Sequence, residues 1–244
     1  FGMSPPALET ARVLELGCAA GGNCIPIAVE YPNARVVGVD LSAKQIGDGR
    51  RVVEALRLAN IELRNASIMD IDASYGLFDY IVVHGVFSWV PDEVQRKILA
   101  VCKANLTPDG VAFVSYNTLP GWNMVRSIRD MMMYHTRFFA DPAIKAQQAR
   151  ALLKFVRDAT QAQKTPYAEL VRTEAAILQN QSDNYLLHDH LEENNIQLYF
   201  YQFMERANAA GLIYVGDTAI ASMYTGNLPE QVAAPLNAAN DIVR

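Results

Sequence analysis

Two rhythms of hydrophobic and polar positions run along this chain. In the first half, short apolar or β-branched runs alternate with stretches of helical period; in the second half the helical period takes over. The first run, Val13-Leu-Glu-Leu16, breaks into a turn carrying Gly17, Gly21 and Gly22. Asn23 and Pro26 then open a helix, because proline is tolerated in a first turn where its missing N–H costs little. Arg35 to Val39 is a β-branched run ending at Asp40. Ser42-Ala-Lys-Gln45 has the form of a capping box and predicts a helix reaching about Ala59. Ile61 to Asn65 is a third strand, and Phe78 to Val83 is a continuous apolar run of the kind buried on both faces. Pro91 opens another helix, with Asp92 and Glu93 in its positive first turn. Pro108-Asp-Gly110 is a turn that leads into a fifth strand, Val111 to Ser115. Strands alternating with helices predict an α/β fold: a Rossmann-like, doubly wound, mostly parallel sheet whose ligands bind beyond the strands' carboxyl ends.

From Gly121 the texture becomes helical. Trp122, Val125, Ile128, Met132 and Phe139 recur near helical spacing, as do Leu152, Leu153 and Val156, then Tyr167, Leu170, Val171, Ile177 and Leu178. Phe203 to Gly211 reads as a helix with a glycine stop, followed by Leu212 to Gly216 as a sixth strand. The expected division is a Rossmann-like core over residues 1–120 and a helical cap or insertion over 121–195. Residues 196–226 return to the core sheet, and 227–244 form a helical tail. His188 and His190 stand two apart and do not share a helix face, so no metal site is expected there.

Composition narrows the class without changing the fold. The 244 residues are 51% hydrophobic and 19% charged, as in an ordinary globular protein. The net charge of −5 gives no global pull toward nucleic acid. No stretch approaches the ~20 apolar residues of a membrane helix, so no membrane insertion is expected. Cys18, Cys24 and Cys102 are too few and too scattered for a disulfide framework or a zinc site, which fits a reducing, cytoplasmic setting. The chain opens at Phe1 with no visible signal peptide and reads as a fragment.

The glycine turn carries the candidate chemistry. Strand, glycine turn and helix together bring bare backbone N–H groups against a nucleotide-like ligand. The dinucleotide fingerprint needs its second glycine so that backbone can touch a pyrophosphate. Here that position is Ala19, whose Cβ would crowd a diphosphate. S-adenosylmethionine (SAM) has no phosphate, and an acid such as Glu15 suits a ligand with an ammonium and a sulfonium. E-x-G-x-[GA]-x-G at Glu15 to Gly21 resembles the SAM-binding motif of class I methyltransferases. Asp40 lies at the distance from Gly17 where an acid grasps ribose hydroxyls, about 20 residues on.

Three further stretches narrow the resemblance: Gly22-Asn-Cys-Ile-Pro26, Ser115-Tyr-Asn-Thr-Leu-Pro-Gly-Trp122, and His188-Asp-His-Leu-Glu-Glu-Asn-Asn195 with the following Phe-Tyr-Gln-Phe. Together they resemble bacterial class I methyltransferases carrying a methyltransferase regulatory domain, a family that includes enzymes methylating lysines of outer-membrane proteins. Members of that family continue past this chain's end. The resemblance implies a SAM site formed by Glu15, Gly17, Cys18, Ala19, Gly21, Asn23, Asp40, Leu41, Ser67, Ile68, His84, Gly85 and Val86. Either Ser67 or Asp70 could contact adenine, with Ile68 as an apolar wall. His84, Tyr116 and Asn117 are the candidates for the acceptor side, where a phenol and an amide can orient an incoming amine. The acceptor itself, a protein lysine or a small molecule, and the oligomeric state are left open. Two alternatives stand beside this reading: an inactive SAM-binding regulatory module, and an NAD-type oxidoreductase, which Ala19 and Glu15 disfavour.

Overall fold

The computed structural model describes residues 2–239. Their backbone divides into two compact units, one built from residues up to Tyr116 and from Leu198 onward, the other from Asn117 to Gln197.

The first unit is a five-stranded, all-parallel sheet. Its strands are β1 (Arg12–Leu16), β2 (Arg35–Asp40), β3 (Ile61–Asn65), β4 (Phe78–Val83) and β5 (Leu106–Val114), in spatial order β3-β2-β1-β4-β5. The order reverses beside β1, which pairs with β2 on one side and β4 on the other. That reversal opens a crevice at the carboxyl ends of β1 and β4, where doubly wound sheets bind ligands. Burial explains why the apolar runs form strands: Val13, Leu14 and Leu16 of β1 and Phe78, Ile81 and Val83 of β4 are at most 2% exposed.

Helices α1 (Cys24–Glu30), α2 (Ala43–Ala55) and α3 (Asp92–Asn105) connect the strands. Ser42 caps α2 by accepting from Gln45 N, but the reciprocal half of the expected capping box is absent: Ser42 N donates to Asp40 Oδ1 at 2.8 Å. The helix ends at Ala55, four residues short of expectation, where Arg57 takes a positive φ of 54°. β5 begins earlier than expected. The Pro108-Asp-Gly110 segment lies inside it as a register shift opposite Phe78 and Tyr80, so the turn residues make a bulge rather than a boundary.

Leu212 to Gly216 form no strand, which corrects the expected sixth strand. They follow α8 (Phe200–Ala209), and Leu212 N closes that helix by donating to Ala207 O at 3.0 Å. Tyr214 folds back so that its ring meets Phe200 edge-on, and Ile213 is 82% exposed. A β-branched, aromatic run becomes a strand only with a partner edge, and here the helix end takes up its backbone. The tail forms α9 (Glu230–Ala238); the rest of the expected tail helix lies outside the described residues.

The second unit is helical: α4 (Trp122–Thr136), α5 (Pro142–Ala159), α6 (Pro166–Gln179) and α7 (Asp183–Asp189). Asp141-Pro142 and Thr165-Pro166 are cap-and-N1 pairs, with Asp141 Oδ1 accepting from Ala143 N and Thr165 Oγ1 from Ala168 N. Ile128, Met132, Leu153, Val171 and Leu178, expected from the helical spacing, form its core with Ala149 and Leu186, which were not. Ile177 and Phe139 face out. His190, 2% exposed, places Nε2 at 2.7 Å from Glu174 Oε1, an intra-unit pair with no precursor in the sequence pattern. Among the described residues no group of three or more metal-ligating side chains is found, and no helix is long and apolar enough to cross a membrane.

Candidate functional site

The ends of β1 and β2 are tied together by backbone. Gly17 N and Cys18 N both donate to Val39 O, at 2.8 and 3.0 Å. Gly17 needs its φ of 74° to make that turn, and a Cβ there would stand 2.4 Å from Val86 Cγ2. The glycine turn and the segment after β4 therefore lie in direct contact. Ala19, standing where the family motif usually has glycine, also takes a positive φ of 49° and is exposed. An L-residue in that region costs about 1–2 kcal/mol.

Asp40 sits at the last position of β2 and clamps this turn. Its Oδ2 accepts from Ala19 N and its Oδ1 from Ser42 N, both at 2.8 Å. The next residue, Leu41, is 76% exposed, and Asn65 at the end of β3 donates to the carbonyls of Asp40 and Leu41 at 3.2 and 2.9 Å. Asn65 was not singled out from sequence; its one signal is its place as the polar residue closing a strand.

Glu15 is 3% exposed, and both its oxygens are used internally. Asn23 Nδ2 donates to Oε1 at 2.7 Å, and the Cys24 thiol to Oε2 at 2.8 Å. The Cys24 thiol is pushed well above its ordinary value by its hydrogen bond with Cys18, by burial and by the nearby carboxylate. Glu15 thus fixes the start of α1 against β1, and with it the shape of the turn holding Gly21.

The remaining candidates fall at successive strand ends. Ser67, after β3, caps a short helical turn by accepting from Met69 N, with Ile68 half-buried and Asp70 exposed in that turn. After β4, His84 Nδ1 lies 3.1 Å from Ser115 Oγ, and Gly85 N donates to the same hydroxyl at 2.9 Å. Gly85 takes a φ of 68°, with no atom within 4 Å of where a Cβ would stand. Ser115, at the end of β5, was quoted in the sequence motif but not picked out as the anchor of the β4 turn.

Tyr116 follows Ser115. Its ring stacks on Phe203 of α8, with centroids 4.4 Å apart and planes 13° from parallel, and meets the fully buried Phe87 edge-on at 6.5 Å. Phe87 and Phe203 complete the trio at 5.4 Å. Asn117 begins the helical unit and donates to Asn195 Oδ1 at 3.0 Å. The structure thus gathers Gly17, Cys18, Ala19, Asp40 and Val86 around one turn, with His84 and Gly85 on Ser115. Glu15 is enclosed behind the turn, and Tyr116 joins an aromatic trio.

Comparison with known proteins bears on the family. A family model described as a methyltransferase domain matches residues 13–110, and one described as a predicted methyltransferase regulatory domain matches residues 182–244. Rickettsia prowazekii protein RP028 is 49% identical over 207 residues, covering 85% of this chain and 83% of that protein. R. prowazekii protein RP789 is 55% identical over all 244 residues, which make up 44% of its length. The solved structure of PKMT2 from Rickettsia typhi in complex with AdoHcy is 51% identical and superposes with a TM-score of 0.87, covering 99% of this chain and 46% of that one. The chain therefore spans under half of RP789 and of PKMT2. It belongs to the class I SAM-dependent methyltransferase family whose members carry a methyltransferase regulatory domain.

Proposed function

We propose that this chain supplies the SAM-binding and methyl-transfer site of a methyltransferase acting on an amine, with a protein lysine as the acceptor. The observation that carries the reading is the Asp40 carboxylate, held at the carboxyl end of β2 and bonded to the backbone of the glycine turn. A carboxylate has about four acceptor positions; two are filled by N–H groups here, which leaves room for the paired hydroxyls of a ribose. The alternation of open and filled positions fits SAM. Ala19 and Leu41 are exposed, and Gly85 faces free space, while Cys18 and Gly21 are buried. The complex of PKMT2 with AdoHcy supports the same ligand class.

When bound, SAM supplies an electrophilic methyl on sulfur, which an acceptor lone pair takes as the neutral sulfide leaves. The protein's own share is alignment, exclusion of water and disposal of one proton from the amine. In this reading Gly17, Cys18 and Ala19 present backbone to the ligand, and Asp40 and Leu41 hold its ribose. Ser67 or Asp70 meets the adenine beside Ile68. Gly85 and Val86 flank the methionine end. His84, held by Ser115, and Tyr116, held by Phe203, stand on the β4–β5 side, where the methyl would be presented. Asn117 is assigned to the acceptor side with them, and the lysine acceptor rests on the family resemblance.

The experiment is a side-by-side titration of the purified chain with SAM and NAD, followed by transfer of labelled methyl to lysine-containing peptides. The reading expects binding of SAM and label in acid-stable methylated lysine. Binding of NAD in preference to SAM would replace it with the oxidoreductase alternative. Binding of SAM with no transfer to any amine would leave a binding module.

A further inference from the structure

A polar relay through the buried Gln95 joins α8 to the turn after β4, and it is not part of the donor site described above. Phe203 and Arg206 lie on α8, within the stretch matched by the regulatory-domain model. Arg206 donates from one guanidinium nitrogen to two acceptors on α3, Asp92 Oδ1 at 2.9 Å and Gln95 Oε1. Gln95, with no exposed surface, then donates from Nε2 to the backbone carbonyl of Phe87 at 2.7 Å. Phe87 follows Val86, the residue pressed against Gly17. Two side chains, Arg206 and Gln95, thus connect a helix of the regulatory-domain match to the backbone beside the wall of the glycine turn.

The two halves of this relay differ in weight. The side chains of Arg206 and Asp92 are 33% and 48% exposed, so solvent screens their ion pair and leaves it weak. The Gln95 half is out of water. A buried amide that loses its partner bears the full desolvation cost of the orphaned group. Arg206 on Oε1 therefore favours the amide orientation that aims Nε2 at Phe87 O.

We propose that Arg206 and Gln95 are positioning residues for the methyl donor: α8 sets the placement of the Gly85–Phe87 turn over Gly17 through this relay. The inference rests on the donor-site reading given under Proposed function. It gives the regulatory segment a physical route to the donor site, because any shift of α8 withdraws the donor that orients Gln95. The phenyl stack of Phe203 on Tyr116 moves with the same helix.

The test is calorimetric titration of S-adenosylhomocysteine into the wild-type chain and three variants, with the melting temperature of each apo-protein measured in parallel. Arg206→Met keeps the apolar stem and removes every donor, and is expected to weaken binding about fivefold or more. Arg206→Lys can place one ammonium between Asp92 and Gln95, and is expected to bind within about twofold of wild type. Asp92→Asn removes its exposed ion pairs with Arg206 and Arg96 while leaving Gln95 to Arg206, and should also stay within about twofold. Wild-type affinity in Arg206→Met would overturn the proposal. Equal losses in Arg206→Met and Asp92→Asn, in step with melting temperature, would reduce the network to docking of α8 on α3 and overturn it too. Wild-type protein that binds no S-adenosylhomocysteine would remove the donor-site reading first, and the relay's role with it.

Discussion

Ala19 N donates to Asp40 Oδ2 at 2.8 Å, so the residue that departs from the family's usual glycine is held by the acid closing the next strand. The bond crosses from the glycine turn after β1 to the end of β2 and sets where both present themselves to a ligand. It also explains how alanine is tolerated at φ 49°: a charge-assisted hydrogen bond, about 1.5–3 kcal/mol, offsets the left-handed strain.

Gly17 and Ala19 should therefore respond in opposite senses to substitution. Gly17→Ala drives a Cβ into Val86 and adds strain at φ 74°, and is expected to cost about 2 kcal/mol or more with loss of SAM binding. Ala19→Gly relieves strain, partly offset by the entropy of the unfolded chain, and is expected to change stability by about +0.5 to +1 kcal/mol with SAM affinity kept. Urea denaturation of both variants checks this. A destabilised Ala19→Gly would show that the alanine side chain has a packing role absent from the structure.

Cys102 lies buried in α3, and burial pushes its thiol up to about 12 from an ordinary value of 9.0. Between those values the unfolded chain has released a proton that the folded chain keeps. The protection is complete below pH 9, and stability falls as pH rises from about 9 toward 12, by at most about 1.4 kcal/mol per pH unit for this group. The Cys24 thiol is shifted in the same direction and adds to the decline. Denaturation curves across this alkaline range should show a shallower fall for Cys102→Ala than for wild type. Identical slopes would mean that the Cys102 thiol ionises freely in the folded state.

Tyr116→Phe keeps the ring that stacks on Phe203 and deletes only the hydroxyl. Under the proposed function it leaves SAM affinity within about threefold and lowers methyl transfer about tenfold or more. Radiolabel transfer and calorimetry on the same preparation separate the two effects. Loss of neither would make Tyr116 a packing residue of the Phe87–Phe203 trio.

The strand–turn–helix around Gly17 was legible because the whole signal lies within some two dozen consecutive residues, and Asp40 followed from its fixed distance. The partners of these residues were less accessible. Glu15 reads as an acid facing a cationic ligand; the fold encloses it because α1 brings Asn23 and Cys24 back over β1. Tyr116 and Phe203 are separated by 87 positions (203 − 116), and no local pattern reports a stack formed across that distance. Leu212 to Gly216 have strand composition but spend a backbone N–H on the end of α8, a competition decided by tertiary context. The helical second unit was readable in its apolar spacing. Its buried His190–Glu174 pair was not, since no local pattern links a histidine to a glutamate 16 positions earlier on another helix.

The central claim is that Asp40 and the glycine turn together hold SAM, and isothermal titration of SAM into wild type and Asp40→Asn tests it most directly. Asparagine keeps one oxygen for Ala19 N but puts an NH2 where the other oxygen accepts from Ser42 N, so the apo melting temperature, measured in parallel, is expected to fall by several degrees, about 1–3 kcal/mol. The account predicts at least about tenfold weaker SAM binding by Asp40→Asn, the loss of one or more charge-assisted bonds to the ribose. Equal SAM affinity in wild type and Asp40→Asn would contradict it.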